Sequence, residues 1–343
     1  MKVLYAVQAT GNGHISRAQV LVPILKKFAH VDVLLSGTSA DLTLEFPVKY
    51  KYKGLSFVFG KKGGVNLFKT LRRLDFWQFY KDVIKVDLNN YDLIINDFEP
   101  VSAWAGLIRK KHVFALSHQY SLLSDHIPRP IKKAFISRLI LKYYAPAKKG
   151  YGFHFNNYDK MIFKPIIKTE FLSQPKEELN HYVVYLPAFS DKKIISVLRY
   201  VPKTNWVIFS KNAEITYMYR NFKVFPLNKK TFNEKLVTAK GIICGAGFET
   251  PAEALYLNKK LLVVPMKNQY EQQCNAEALS EIGVPVIYDF DAPCIEKIKS
   301  WVRTKNRIAI DYTQNTDEVV KKVLRECEDS IGFKRKIESV VSP

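Results

Sequence analysis

Cys244-Gly-Ala-Gly-Phe-Glu-Thr-Pro-Ala-Glu253-Ala254-Leu255 is the stretch on which the reading of this chain turns. The apolar run Gly241–Cys244 breaks into a turn of small residues and restarts as a helix. Gly245 and Gly247 permit a tight turn and close backbone approach, and the first turn of a helix carries amide N–H groups with no intrahelical partner. Those amides, with the helix dipole behind them, favour an anion such as a phosphate. Taken alone, the same residues fit an ordinary strand-to-helix turn whose glycines only relieve crowding, so the rest of the chain has to decide.

Outward from that turn, apolar runs alternate with helical spacing. Before it the pattern predicts strand 181–186, helix 190–199, strands 206–209 and 222–225, and helix 230–238. After it come strand 261–264, helix 269–281, strand 284–288 and helix 292–304. The amino-terminal half repeats the theme. Residues 2–7 form a strand, Ala9-Thr-Gly-Asn-Gly-His14 turns the chain, and a helix from near Ser16 places Ala18, Leu21, Val22 and Leu25 on one face. Strand 31–35 follows, then strand 91–97 ending in Asp97 and Glu99 before a helix opened by Pro100. Strand 112–116 ends at Ser117-His118-Gln119, and 153–155 reads as the last strand of this half.

The expected architecture is therefore α/β with two Rossmann-like units. Their boundaries are read as 1–163, 164–315 and a carboxyl-terminal helical segment 316–343 that crosses back to brace the first unit. In open sheets of this kind ligands bind at the carboxyl ends of strands, so His14, Asp97 and His118 can share one crevice. The amino-terminal turn lacks the full Gly-x-Gly-x-x-Gly spacing, because position 16 is Ser, which argues against a nicotinamide site.

Composition narrows the partners. The chain has 343 residues, enough for two cores, and carries 53 Lys and Arg against 32 Asp and Glu, a formal net charge of +21. Such a balance implies a polyanionic partner: a phosphorylated substrate, an anionic membrane surface or nucleic acid. Residues 49–81 interleave Lys49, Lys51, Lys53, Lys61, Lys62, Lys69, Arg72, Arg73 and Lys81 with Tyr50, Tyr52, Phe57, Phe59, Phe68, Phe76, Trp77, Phe79 and Tyr80. Gly60-Lys-Lys-Gly-Gly64 reads there as a loop, followed by a helix from Leu67 to about Leu88. Residues 129–149 are basic and amphipathic, with Ile131, Phe135, Leu139 and Tyr143 at every fourth position. The first segment suits a membrane interface or a nucleic-acid strand, and equally core aromatics under a solvated basic face; the second suits an anionic surface, or packing on the sheet with snorkelling lysines.

Cys244, Cys274, Cys294 and Cys327 lack metal-site or redox spacing and read as reduced thiols. Residues 1–7 run straight into a glycine turn, so they read as a strand and not a signal peptide. No apolar run reaches the roughly eighteen residues of a membrane span. A cytoplasmic protein, free or peripheral on the inner face of a membrane, is expected. Asp289-Phe290-Asp291 has Asp-x-Asp spacing, but its place before Ala-Pro reads as turn and cap, and no metal is expected.

Two Rossmann-like halves resemble a GT-B glycosyltransferase. Thr10-Gly-Asn-Gly-His14 is similar to the amino-terminal loop and His of the MurG-like and UDP-glycosyltransferase-like families. The opening stretch with Thr250-x-x-Glu253-Ala254-Leu255, Val263-Val264-Pro265 and Glu271-Gln272-x-x-Asn275-Ala276 is similar to their carboxyl-terminal signature. The resemblance implies a nucleotide sugar, UDP-linked, as donor co-substrate, with no other cofactor. Gly245, Gly247, Phe248, Glu249 and Thr250 would surround its diphosphate, Glu253 would hold the ribose, and Glu271 and Gln272 would face the sugar. Asn275 is assigned to the same site, Phe225 lies where the base is read, and Lys168 stands near the phosphates. Gly11, Asn12, Gly13, His118 and Gln119 would lie on the acceptor side.

Departures from the family pattern touch the sugar more than the fold: Glu271 replaces an Asp, and Lys260-Leu261 replace a small turn. His14 is the expected base of an inverting transfer, since a neutral imidazole can deprotonate a hydroxyl near neutrality, and Asp97 would orient it. The acceptor would be a cell-envelope glycan, a lipid or a small molecule, and nucleic acid is not expected as a partner. The alternatives are a sugar-nucleotide epimerase of GT-B shape and a non-catalytic polyanion or nucleic-acid binder.

Overall fold

The computed structural model describes residues 1–37, 44–55, 75–130, 134–172, 177–308, 310–312 and 316–332. The glycine loop expected at 60–64 and the last eleven or so residues lie outside them.

The first sheet has seven parallel strands in the order β3-β2-β1-β4-β5-β6-β7. These are β1 (Lys2–Gln8), β2 (His30–Ser36), β3 (Tyr50–Tyr52), β4 (Leu93–Asp97), β5 (Val113–Ser117), β6 (Lys149–Phe153) and β7 (Ile162–Phe163). Their crossovers include α1 (Asn12–Leu25), α2 (Phe76–Lys85), α3 (Pro100–Ile108), the single turn α4 (His118–Ser121) and α5 (Ala134–Tyr144). The order reverses between β1 and β4, and there the loops after both strands open into one crevice. Both faces are covered, which is why β1, β4 and β5 read as unbroken apolar runs without alternation.

The second sheet has six strands in the order β10-β11-β9-β8-β12-β13. After a short α6 (Thr169–Leu172) come β8 (Tyr182–Tyr185), α7 (Asp191–Leu198), β9 (Trp206–Ser210), β10 (Tyr217–Tyr219) and β11 (Phe222–Pro226). Then follow α8 (Lys229–Val237), β12 (Gly241–Cys244), α9 (Glu249–Tyr256), β13 (Lys260–Val263), α10 (Tyr270–Glu281) and α11 (Ile295–Arg303). The last described helix, α12 (Thr316–Ile331), packs on α1 of the first unit. Val320, Val323, Leu324 and Cys327 are buried there, Lys27 bonds Asp317 at 2.8 Å, and Lys322 lies over the rings of Tyr151 and Phe163. A single buried cluster runs from Val3 and Ile95 through Phe155, Ile167 and Phe248 to Ile242 and Val263, joining the two sheets.

Several expected elements differ. The first helix starts at Asn12 rather than near Ser16, so His14 sits in its first turn. The helix expected from Leu67 begins, among the described residues, at Phe76, where the Asp75 carboxylate accepts from the Gln78 amide and caps it. The last strand of the first sheet is Ile162–Phe163, and β6 ends at Phe153, two residues before the expected strand does. Strand 284–288 is reduced to one bridge between Val263 and Val286, because Pro285 offers a carbonyl but no N–H. The edge strand β10, a three-residue antiparallel partner of β11, is too short and too exposed to leave a pattern. Helix 292–304 opens as a 3₁₀ turn over Ala292–Cys294. All four cysteines are buried free thiols.

One local arrangement sets the geometry of the crevice. Glu99 is wholly buried, and its carboxylate accepts from the Val101 and Ser102 amides (2.6 and 2.7 Å) and from the Ser36 hydroxyl (2.5 Å). It therefore caps α3, and Asp97 is left to face α1. Removing the carboxylate orphans two buried amides and leaves the Ser36 hydroxyl only the longer bond to Gln8 Oε1 at 3.3 Å. Glu99→Ala should lower the unfolding free energy by about 2 kcal/mol, read as a reduced urea midpoint with unchanged slope.

Candidate active site

His14 reaches the crevice from the first turn of α1, just after the strand-to-helix turn, and is 8% exposed. Its Nδ1 lies 2.8 Å from Oδ1 of Asp97, a fully buried carboxylate at the end of β4. An ionised carboxylate only accepts, so Nδ1 carries the proton and donates it, which leaves the Nε2 lone pair as the basic position. The imidazole lies nearly parallel to the ring of Phe98, with centroids 6.3 Å apart. Phe98 has φ of 56°, a left-handed backbone that is uncommon for a bulky residue, and its ring also meets Tyr144 at 4.8 Å.

Arg17 is the site residue that motif reading did not single out. It stands one turn after His14 on the same face of α1, a spacing of three that could have flagged it. Its Nε and Nη2 donate to the two oxygens of Asp97 at 3.0 and 2.8 Å, and Nη1 donates to Oε1 of Glu249 at 2.6 Å. Arg17 is 4% exposed, and burial opposes its charge, yet Asp97 and Glu249 outweigh that and hold it firmly protonated. Burial pushes the Asp97 carboxyl up, but Arg17 and then His14 more than reverse this, so it lies below the usual range. The carboxylate therefore stays ionised beside the imidazole near neutral pH.

The turn that opened the sequence reading lies between β12 and α9. Neither Gly245 nor Gly247 has positive φ, and the packing of the chain leaves room for a side chain at both. A Cβ at Gly247 would meet nothing within 4 Å, and one at Gly245 would lie 3.5 Å from the Gln272 side chain. The α9 start has no side-chain cap, while Pro251 in its first turn removes one of the free amides. Glu249 is half-buried and turned toward Arg17 and Gly13, where an added Cβ would sit 3.2 Å from Glu249 Cγ. Gly11 keeps open space, and Asn12 and Thr250 are partly exposed beside these turns.

Other expected residues bond directly to one another. Lys168 Nζ lies 2.7 Å from Oε1 of Glu253, which is 2% exposed. Burial raises the Glu253 carboxyl against the pull of Lys168, and the same partner keeps the Lys168 ammonium up against its own burial. His118 and Gln119, expected toward an acceptor, reach the other half of the chain. His118 Nε2 is 2.9 Å from Oδ1 of Asn275, and Gln119 Nε2 donates to Oε2 of Glu271 at 3.1 Å.

Asn275 Nδ2 donates to the Ala246 carbonyl and the His118 Nδ1 faces the Phe153 carbonyl, so both imidazole nitrogens point at acceptors. Burial nonetheless lowers the His118 pKa. Its ring stacks on Phe248 at 4.0 Å and 5°. Gln272 is held by the Met266 amide at 2.9 Å, and Phe225 stacks on Phe209 at 5.6 Å. Asp289 and Asp291 are each neutralised by a lysine, Lys267 and Lys193 respectively. No group of three or more His, Cys, Asp or Glu side chains among the described residues is arranged to hold a metal ion.

Burial is the main cause that pushes the Glu249 carboxyl up to about 7, with Arg17 opposing it and Glu253 adding to it. A carboxyl raised on folding binds extra protons in the native state. Its contribution to stability is full below its ordinary pKa and is lost as pH rises through about 7. Glu249→Gln removes that dependence. The melting temperature of the variant relative to the parent should therefore climb between about pH 5 and about pH 8, measured by parallel thermal melts.

The comparisons agree with this architecture. A family model described as glycosyl transferase family 1 matches residues 1–304. The glycosyltransferase of kitacinnamycin has 12% identity and a TM-score of 0.55, covering 96% of this chain and 95% of that one. Phytolacca americana UGT2, solved with UDP-2fluoro-glucose and pterostilbene, has 12% identity and a TM-score of 0.56, covering 96% and 98%. MurG of Acinetobacter baumannii has 13% identity and a TM-score of 0.54, covering 94% and 99%. No curated protein matches the chain in sequence. At these identities the structures speak for the fold, and the family model speaks for the class of enzyme, which sets aside the epimerase and the non-catalytic binder. The chain belongs to the glycosyl transferase family 1, a glycosyltransferase whose two α/β units form the GT-B fold.

Proposed function

We propose that this glycosyltransferase moves a sugar from a UDP-linked donor to an acceptor hydroxyl with inversion, His14 acting as the base. The observation that carries the reading is the His14–Asp97 pair at 2.8 Å, with the imidazole presented from a strand-end turn. In the transfer, Nε2 of His14 takes the proton of the acceptor hydroxyl as its oxygen attacks C1 of the sugar. The bond from C1 to the phosphate oxygen breaks, and UDP leaves with the electron pair. A single displacement of this kind inverts the anomeric centre. Asp97 fixes the tautomer and stabilises the imidazolium that forms.

On the donor side the proposal places the diphosphate at the amides opening α9, over the bare surface of Gly247. Lys168 supplies the cation beside it and Glu253 the acceptor for ribose hydroxyls, both from their present ion pair. Gln272 and Glu271 face the sugar, and the leaving group is stabilised by helix amides and Lys168 without a metal. His14→Ala should lower transfer by about 10²–10⁴-fold while UDP still raises the melting temperature; full activity would remove His14 from the mechanism. A thermal-shift panel of nucleotides and nucleotide sugars tests the donor, and stabilisation by UDP and not by other nucleotides is expected.

The acceptor is proposed to be lipid-linked or presented at an anionic membrane surface. Trp77 is 67% exposed on α2, beside exposed Phe76, Tyr80 and Ile84, with Lys81 over the Trp77 ring. Exposed Leu107 and Ile108 end α3 nearby, where Arg109 donates to the Ile84 carbonyl. On α5, Phe135 is 75% exposed, with exposed Tyr143 beside Lys142. Apolar tips among lysines are the composition of an interfacial face. No helix among the described residues is long and apolar enough to cross a membrane. The protein should float with anionic vesicles at low salt and release at high salt, and Trp77→Ala should weaken flotation; no binding at low salt would discard this acceptor class.

A further inference from the structure

We propose that Glu249, acting through Arg17, supplies the second negative charge that stabilises His14 after it has taken the acceptor's proton. The inference rests on the reading of His14 as the base and deepens it, because it moves Glu249 from the donor's ligands to the base's support. The base of one half then works at full strength only when the donor-turn helix of the other half is docked against it.

The anatomy is a chain of charge-assisted bonds. His14 Nδ1 and Arg17 Nη2 both donate to Oδ1 of Asp97, each at 2.8 Å, and Arg17 Nη2 lies only 3.2 Å from that same Nδ1. Arg17 Nε takes the other Asp97 oxygen, and Nη1 takes Glu249 across 232 positions of sequence. The count of charges follows. Above about pH 7, where Glu249 is ionised, and with His14 neutral, Arg17, Asp97 and Glu249 sum to minus one. When the acceptor's proton arrives on Nε2, the cluster becomes neutral.

Without Glu249 the same step would take the cluster from neutral to plus one. The surplus charge would arise in a buried site, with the guanidinium directly beside the new imidazolium. Charge of that kind is costly where water does not screen it. Glu249 draws the guanidinium's charge toward the far side of Arg17 and makes room for the proton.

Two further observations fit this role. Glu249 lies against the His14 loop, where a Cβ at Gly13 would stand 3.2 Å from Glu249 Cγ, so a bare backbone at Gly13 lets the carboxylate reach Arg17. A carboxylate in the first turn of α9 would also repel a diphosphate bound at the same amides. Turned onto Arg17, it leaves those amides to the phosphates.

The test uses the whole chain with the donor identified by the thermal-shift panel and an acceptor to which the enzyme transfers its sugar. Glu249→Gln should lower kcat by about tenfold or more, with the donor KM and the thermal shift by UDP unchanged. Glu249→Asp keeps the charge and should retain more of kcat than Glu249→Gln. In Arg17→Gln the further change of Glu249 to Gln should cost nothing extra, because Glu249 acts through Arg17.

A raised donor KM and a lost UDP shift with kcat retained would show Glu249 to be a donor ligand and overturn the proposal. Wild-type kcat in Glu249→Gln, with His14→Ala inactive, overturns it alone, whereas wild-type transfer in His14→Ala overturns the base assignment instead. If Arg17→Gln does not fold, the comparison of Gln with Asp at position 249 still decides.

Discussion

A carboxylate with no exposed surface has to be answered by charge, and Asp97 at the end of β4 is answered twice. Arg17 grips both of its oxygens and His14 takes one of them, so strand β4 and helix α1 meet at the switch point of the sheet through three charge-assisted bonds. That pairing fixes the imidazole's tautomer. It is possible only because the neighbouring carboxylate, Glu99, is committed to capping α3 and does not compete for α1. Two acids two residues apart therefore have separate duties. One holds the fold and the other holds the crevice.

The consequence reaches the second unit. Arg17 has a donor to spare after Asp97, and Glu249 at the start of α9 takes it. On the same helix Gln19 accepts from Lys229, which opens α8. A second seam runs through His118 with Asn275 and Gln119 with Glu271, backed by the stack of His118 on Phe248. The halves thus meet through side chains that also line the crevice. Polar contacts of this kind can be exchanged for those of a ligand at modest net cost, since one charge-assisted bond replaces another.

The turn between β12 and α9 illustrates how far pattern reading reaches. Strand, small-residue turn and helix stand where the motif put them, with β12 spanning Gly241–Cys244 as expected. The reason for its glycines was less legible. No positive φ is involved, and nothing in the chain fills the space where a side chain at Gly247 would be. Pro251, visible in the sequence all along, reduces the free amides of the first turn to fewer than four. The open space at Gly247 cannot be read from spacing, because it depends on what lies within a few ångströms of a backbone atom.

Periodicity and motif order determined the larger frame: two alternating α/β units and a helix returning to brace the first, with His14 and Asp97 expected in one crevice. Local rules suffice for that, since apolar runs buried on both faces and glycine turns between strand and helix are written in neighbouring residues. Tertiary structure alone decided which charged groups share a partner. Arg17 and Glu249 are 232 positions apart, as Lys168 and Glu253 are distant neighbours of a single ion pair, and no local signal links either couple. Burial made those pairings necessary, because a charge withdrawn from water takes whichever opposite charge the packed chain brings within reach.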